Sequence, residues 1–243
     1  MLEEFKKYVS NYDLNNPKIR LRYNHCLRVM KLNRKYAIAL GFSKEDIELA
    51  SLIGLLHDIG RFEQVRIYGS FNDLETIDHA DYSVEQLFDR GLIKNFWTDN
   101  SDYEIIKFAI KNHNKYNIPK CNNERMLMHA KLIRDTDKMD IFHFLGVLDE
   151  MHERASSDII SSEVKKQIFN HQLGSRKYSR NNNDNIAINY SFVFDINYDI
   201  CIPEIKNNFE AYYELVGRED IFKEIIDVIE NYLIERIDNS VRN

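Results

Sequence analysis

The chain has 243 residues, of which 44% are hydrophobic and 30% charged, with a formal net charge of −6 at pH 7. That balance excludes intrinsic disorder and leaves enough apolar residues for one generous domain with a sizeable core. The acidic excess works against long nucleic acid and anionic membrane surfaces as partners, although a local basic pocket could still take phosphate. The first ten residues mix both charge signs and lack an apolar run, so no secretory leader is expected. Apolar runs elsewhere are short and broken by charge, which predicts no membrane span. Cys26, Cys121 and Cys201 lie far apart with no C-x-x-C pair, which reads as three reduced thiols in a cytoplasmic protein.

Only eight glycines and three prolines punctuate the chain, and helical periodicity dominates. A first long helix is expected over 17–40, with Pro17 early, where a missing N–H does no harm. Leu21, Leu27, Val29, Leu32, Tyr36 and Leu40 form its apolar set, and Gly41 stops it. Ser43 then reads as an N-cap, with Asp46 three residues on as an imperfect capping box. The helix that follows carries Ile47, Leu49, Ala50, Leu52, Ile53 and Leu56 on nearly every side, so it should be buried.

A short helix and a loop fill 60–78, and helices are expected over 78–90, 102–112, 123–137 and 141–154. The last of these has Phe142, Leu145, Leu148 and Met151 on one face. The polar stretch 180–185 reads as an exposed loop. Residues 190–200 alternate as a strand would, yet no comparable second strand exists to pair with, so helix is the better reading. An amphipathic helix over 221–237 closes an all-α chain. Phe192, Phe194, Tyr212 and Tyr213 are expected to build core, with a cap over a pocket or a contact in a homo-oligomer as the alternatives.

Chemistry concentrates at the doublet His57-Asp58, which ends the buried helix. An imidazole and a carboxylate are costly to bury unless something pairs with them, and a divalent metal would use both at once. Adjacent His and Asp are common, so the doublet gains weight only from further ligands. His25 lies in the middle of the preceding helix, and helices joined by a short turn pack antiparallel, so their centres can meet. Asp137 sits at the end of another apolar helix. Two imidazoles and two carboxylates from three helices suit a divalent first-row metal with positions left for water and substrate.

The order His25, then His57-Asp58 in Leu-His-Asp-Ile-Gly-Arg, then Asp137 in Asp-Thr-Asp-Lys-Met-Asp, resembles the HD superfamily of metal-dependent phosphohydrolases over residues 24–140. The resemblance implies an HD-type helical bundle with a metal site at its centre and additional C-terminal helices. It implies a single HD-type domain over 1–243, with a core over 17–155 and a helical extension over 156–243. It makes His25, His57, Asp58 and Asp137 the ligands of a divalent ion (Mn, Mg, Fe, Co or Ni), with Asp135 and Asp140 behind them. His79 and His113 fall where binuclear members carry extra ligands. They could hold a second ion with Asp58 as the bridge, or donate directly to phosphoryl oxygens.

Arg61 stands where the resembling enzymes often place a basic group toward phosphate; the alternative is a surface salt bridge with Glu63 or Asp73. Gln64 and Lys115 are further candidates to line the pocket. His129, His143, His152 and His171 have no pattern behind them and read as ordinary helix or surface residues. The implied activity is hydrolysis of a small phosphorylated substrate, a nucleotide or phosphometabolite, by a metal-activated water, as a phosphomonoesterase or a phosphodiesterase. Asp58 would orient the nucleophile or take its proton, and Arg61 would stabilise charge on the phosphoryl oxygens. Two other readings stay open: a non-catalytic nucleotide-binding regulatory module, and a di-iron oxygenase that uses all six His and Asp ligands.

Overall fold

Side chains that cap backbone N–H groups open three of the helices on which the candidate site rests. In a computed structural model, which describes residues 1–147, 155, 156, 158–217 and 219–242, every regular element is helical. The described chain divides into two compact units, Met1–Asp137 and Lys138–Asn243.

The first unit begins with α1 (Leu2–Val9), an element not anticipated from the sequence. Its Phe5 and Val9, four residues apart and so on one helix face, are fully buried, with Phe5 between the rings of Tyr23 and Phe62. Burying such a ring contributes about 2–3 kcal/mol. Helix α2 (Pro17–Ala39) starts at Asn16, whose side chain accepts from the Lys18 N–H, and Pro17 follows at the first helical position. Ser43 caps α3 (Lys44–Leu56) by accepting from the Asp46 N–H, and the Ser43 hydroxyl donates to the Asp46 carboxylate. Helix α4 (Ile59–Tyr68) follows at once and ends at Gly69, whose φ of 62° is the left-handed conformation glycine supplies without strain.

A loop leads to α5 (His79–Val84), capped by Asp78 on the N–H groups of Ala80 and Asp81; one wider turn, Glu85–Asp89, extends it towards Gly91. Helix α6 (Tyr103–Asn112) and α7 (Glu124–Phe142) complete the set. Helix α7 is longer than expected and passes through the boundary between the units, so only its residues up to Asp137 belong to the first.

Two glycines allow helices to approach closely beside the candidate site. A Cβ on Gly54 would meet the Val29 carbonyl oxygen at 2.8 Å and the Asn33 amide at 2.9 Å, so glycine lets α2 and α3 lie against each other. A Cβ on Gly60 would meet the Ser83 N at 2.7 Å and the His79 carbonyl oxygen at 3.0 Å, which does the same for α4 and α5. Around them, Val29, Leu52, Ile53, Leu56, Phe62, Ile106 and Ile133 form one apolar cluster.

The second unit holds the end of α7, then α8 (Ser162–Phe169), α9 (Asn182–Tyr190), α10 (Ile202–Val216) and α11 (Glu219–Arg242). Its core is aromatic: the Tyr190 ring meets Phe209, Tyr212 and Phe222 edge-on, and Phe142 meets Phe209 likewise. Tyr212 is therefore core, as expected, while Phe194 stacks with His171 and packs on Tyr232.

The stretch 180–185, expected as an exposed loop, is the start of α9 instead. Asn183 and Asp184 are buried because, with Asn181, they satisfy backbone groups of Ser156, Asp158, Ile159 and Ser161. Asn181 caps the helix on the Asp184 N–H, the Asn183 amide donates to the Asp158 carbonyl at 2.6 Å, and Asp184 accepts from the Ser161 N–H and hydroxyl. The alternating segment after Tyr190 forms no strand; it consists of short tight turns, Ser191–Asp195 and Asp199–Cys201. Of the helix expected over 141–154, Leu148, Met151 and His152 lie outside the described residues. Among the described residues no helix is long and apolar enough to cross a membrane.

Candidate metal centre

Six side chains singled out in the sequence meet in the first unit. His25 comes from the middle of α2, His57 from the C-terminal end of α3, and Asp58 from the junction of α3 and α4. His79 is the first residue of α5, His113 ends α6, and Asp137 lies on α7. The four histidines and Asp58 are all at least 95% buried, and Asp137 is 9% exposed.

Asp58 is the centre of the arrangement. Its Oδ2 lies 3.5 Å from the Nε2 atoms of both His25 and His57, while its Oδ1 lies 3.4 Å from His79 Nε2 and 3.6 Å from His113 Nε2. Each carboxylate oxygen thus faces its own histidine pair. Asp137 Oδ1 closes the first side, 3.1 Å from His25 Nε2 and 3.5 Å from His57 Nε2. Asp58 stands at the start of α4 but makes no side-chain cap, so its carboxylate is turned to the cluster. Burial by itself raises the carboxyl pKa of Asp58, yet the adjacent Arg22 cation leads a set of charges that outweighs it and holds the group well below the usual carboxylate range. Asp137 is held low too, because its contacts with the His25 and His57 rings outweigh its burial.

The protonation pattern of the rings decides what the cluster can bind. His57 Nδ1 lies 2.8 Å from the Gly54 carbonyl oxygen and His113 Nδ1 lies 2.7 Å from that of Ile110. A carbonyl oxygen only accepts, so each Nδ1 carries a proton and Nε2 is the atom each ring turns to the cluster. His79 Nδ1 is oriented the same way by the Asp73 carboxylate at 2.5 Å. The Nε2 atoms of His79 and His113 nevertheless stand 3.0 Å apart. Burial, reinforced by the Arg61 charge, pushes the His79 pKa down to about 4, and burial lowers that of His57 as well. Asp58 Oδ1 is itself buried without a hydrogen-bond partner. Ring nitrogens that face one another, a buried carboxylate oxygen and carbonyls that fix the rings from behind are the donor chemistry of a divalent-cation site. By distance, His25, His57 and Asp58, then His57, His113 and Asp137, then Asp58, His79 and His113 are each close enough to share an ion.

The sequence model for the HD domain matches residues 22–145, more than half of the chain. The chain belongs to the HD domain family. No curated protein and no solved structure matches it significantly.

Arg61 of this HD domain lies at the edge of the cluster, where it makes the ion pair with Asp73 that the sequence allowed. Its Nη1 donates to Gln64 Oε1 at 2.8 Å, the Phe71 carbonyl at 2.7 Å and Asp73 Oδ1 at 2.8 Å, while its Nε is 3.8 Å from Asp58 Oδ1. Glu63 pairs with Arg66 instead. Gln64 is buried and ties down the loop before α5 through Asp73, Thr76 and the Ile77 carbonyl. Lys115 is engaged by Asp78 at 2.6 Å and Asp81 at 2.8 Å. His129 proves to be buried, bonded to Asp46 at 2.9 Å on a face where Arg125 also holds Asp46.

Three contributors to the HD site escaped the sequence reading. Arg22 ion-pairs with Asp58 Oδ2, and its position three residues before His25, on the same helix face, was the available clue. Asp73 was weighed only as a partner for Arg61, whereas it also fixes the His79 ring. Arg134, fully buried on α7, donates to the carbonyls of Asn112 at 2.7 Å and Lys115 at 2.6 Å. A guanidinium on the free carbonyls that end α6 holds the turn bearing His113 against the helix bearing Asp137.

Proposed function

We propose that this HD domain is a metal-dependent phosphohydrolase acting on a small phosphorylated substrate, a nucleotide or a phosphorylated metabolite. The observation that carries the reading is Asp58, whose two oxygens face two separate histidine pairs while the Arg61 guanidinium stands beside one of them. His25, His57, Asp58 and Asp137 would hold one divalent ion, and Asp58, His79 and His113 a second. An ion bound there supplies Lewis-acid polarisation and a water acidic enough to ionise near neutral pH.

The chain's own residues supply the rest. Asp58, ionised and buried, orients an attacking water and accepts a hydrogen bond or proton from it. Arg61 is anchored by three acceptors through Nη1, and its Nε is buried with no hydrogen-bond partner, so a donor remains for a phosphoryl oxygen. Burial of the four rings removes bulk water from around them, which strengthens every charge interaction in the site. The two arginines beside the cluster favour a phosphate substrate over the oxygen chemistry of a di-iron oxygenase.

Elemental analysis of the purified protein, followed by phosphomonoester and phosphodiester panels with Mn, Mg, Co, Ni and Fe, tests the reading. Metal-dependent phosphate release that is lost in Asp58→Ala supports it. Turnover by Asp58→Ala equal to that of the parent, or a protein with no metal uptake and no turnover, overturns it. Oxygen consumption on a phosphate-free substrate would transfer the site to the oxygenase reading.

A further inference from the structure

Arg22 and Arg61 approach Asp58 from different helices, yet they are held very differently. Arg61 Nη1 has three acceptors outside the ion cluster. Arg22 is nine-tenths buried, and its Nη1 is paired with Asp58 Oδ2, the oxygen that faces His25 and His57. Its Nε is buried and makes no hydrogen bond. Both guanidiniums lie against one ring: Arg22 Cζ is 4.9 Å and Arg61 Cζ is 5.5 Å from the centre of Phe71. A buried and a part-buried cation, each with a buried Nε that makes no hydrogen bond, lie over one aromatic ring beside an anionic cluster and make a receptor for an anion.

We propose that Arg22 is a metal-gated anion-binding residue. Its guanidinium is paired with Asp58 Oδ2. A divalent ion held by His25, His57, Asp58 and Asp137 competes for that same oxygen, and the guanidinium is then released to hold a phosphoryl oxygen together with Arg61. A buried guanidinium deprived of its carboxylate needs another anion, and a phosphoryl group with several charged oxygens meets that need. Metal and phosphate therefore bind cooperatively, each tightening the other by the same factor, because linkage between binding sites is reciprocal. The inference rests on the phosphohydrolase reading, since it takes phosphate as the anion.

Calorimetric titration of Mn(II) into the metal-free protein, with and without inorganic phosphate, tests both. In the parent protein, phosphate tightens Mn(II) binding by about tenfold or more. Arg22→Met removes that gain while leaving Mn(II) affinity in the absence of phosphate equal or higher, because the competitor for Asp58 is gone. Arg22→Lys keeps the charge without the fork of donors and should retain only part of the coupling. Thermal melting of both variants establishes that they fold; if Arg22→Met does not, the Arg22→Lys titration decides. Full coupling retained in the variants, or Mn(II) binding weakened by Arg22→Met without phosphate, overturns the role of Arg22 alone. A parent protein whose Mn(II) affinity ignores phosphate overturns the phosphate reading, and the clamp with it.

Discussion

The two sides of Asp58 are built from the same residue types but on different supports. On one side, His25 sits mid-helix in α2 and His57 follows the buried apolar end of α3, with Asp137 as a second carboxylate and Gly54 bringing the helices together. On the other, His79 begins a short helix and His113 ends another, and among the described residues no second carboxylate faces both rings. Asp73, from the loop, orients His79 through its far nitrogen. The first side is a product of core packing. The second depends on a loop, on Gly60 and on Arg134, so it should be the weaker and the more easily separated.

Replacing one ligand on each side breaks the comparison most sharply. His25→Ala should abolish ion binding and lower turnover by about 10^3-fold, whereas His79→Ala should leave one ion bound; metal content of purified variants gives the count. If both lose all metal, the two sides do not act separately. Arg134→Met should weaken the ion on the His113 side by about 10- to 100-fold and destabilise the fold by about 2–3 kcal/mol, read by calorimetry and denaturant unfolding. Arg134→Lys should recover part of the affinity, which a purely structural role shared with any buried cation would not link to His113.

Smaller effects come from the two glycines. Gly54→Ala and Gly60→Ala should each cost about 1–3 kcal/mol by overpacking, with ion affinity falling on the His25 side in the first and on the His79 side in the second. The smallest effect is pH-dependent and concerns the brace between α3 and α7, where His129 and Arg125 hold Asp46. Burial holds the His129 pKa below its ordinary value of 6.5, so the unfolded chain takes up that proton first. The stabilisation is complete above pH 6.5 and declines as pH falls from there towards the folded-state pKa. Chemical unfolding of metal-free protein between pH 5 and 8 should show this slope, and His129→Gln should reduce it, leaving the part that the buried His57 and His79 contribute.

Residues of distinctive chemistry could be read without coordinates. Burying His57 and Asp58 at the end of an apolar helix demands partners, and His25 and Asp137 were the available ones on neighbouring helices. Helix starts were equally legible at Pro17, Ser43 and Asp78, because a cap acts within its own turn. Residues 181–184 misled for a related reason: a run of Asn and Asp marks a loop only when its side chains face water, and here they bond backbone from a segment about twenty residues earlier.

What the sequence determined by itself is the all-α class, the family resemblance carried by six His and Asp positions, and the start of each helix that bears them. Tertiary structure alone decided how these groups are shared: one oxygen of Asp58 to each histidine pair, Arg22 on the first and Arg61 beside the second. Local sequence sets the backbone and its caps, but which lone pair faces which is fixed by how closely helices pack, and that distance is set by residues far apart in the chain.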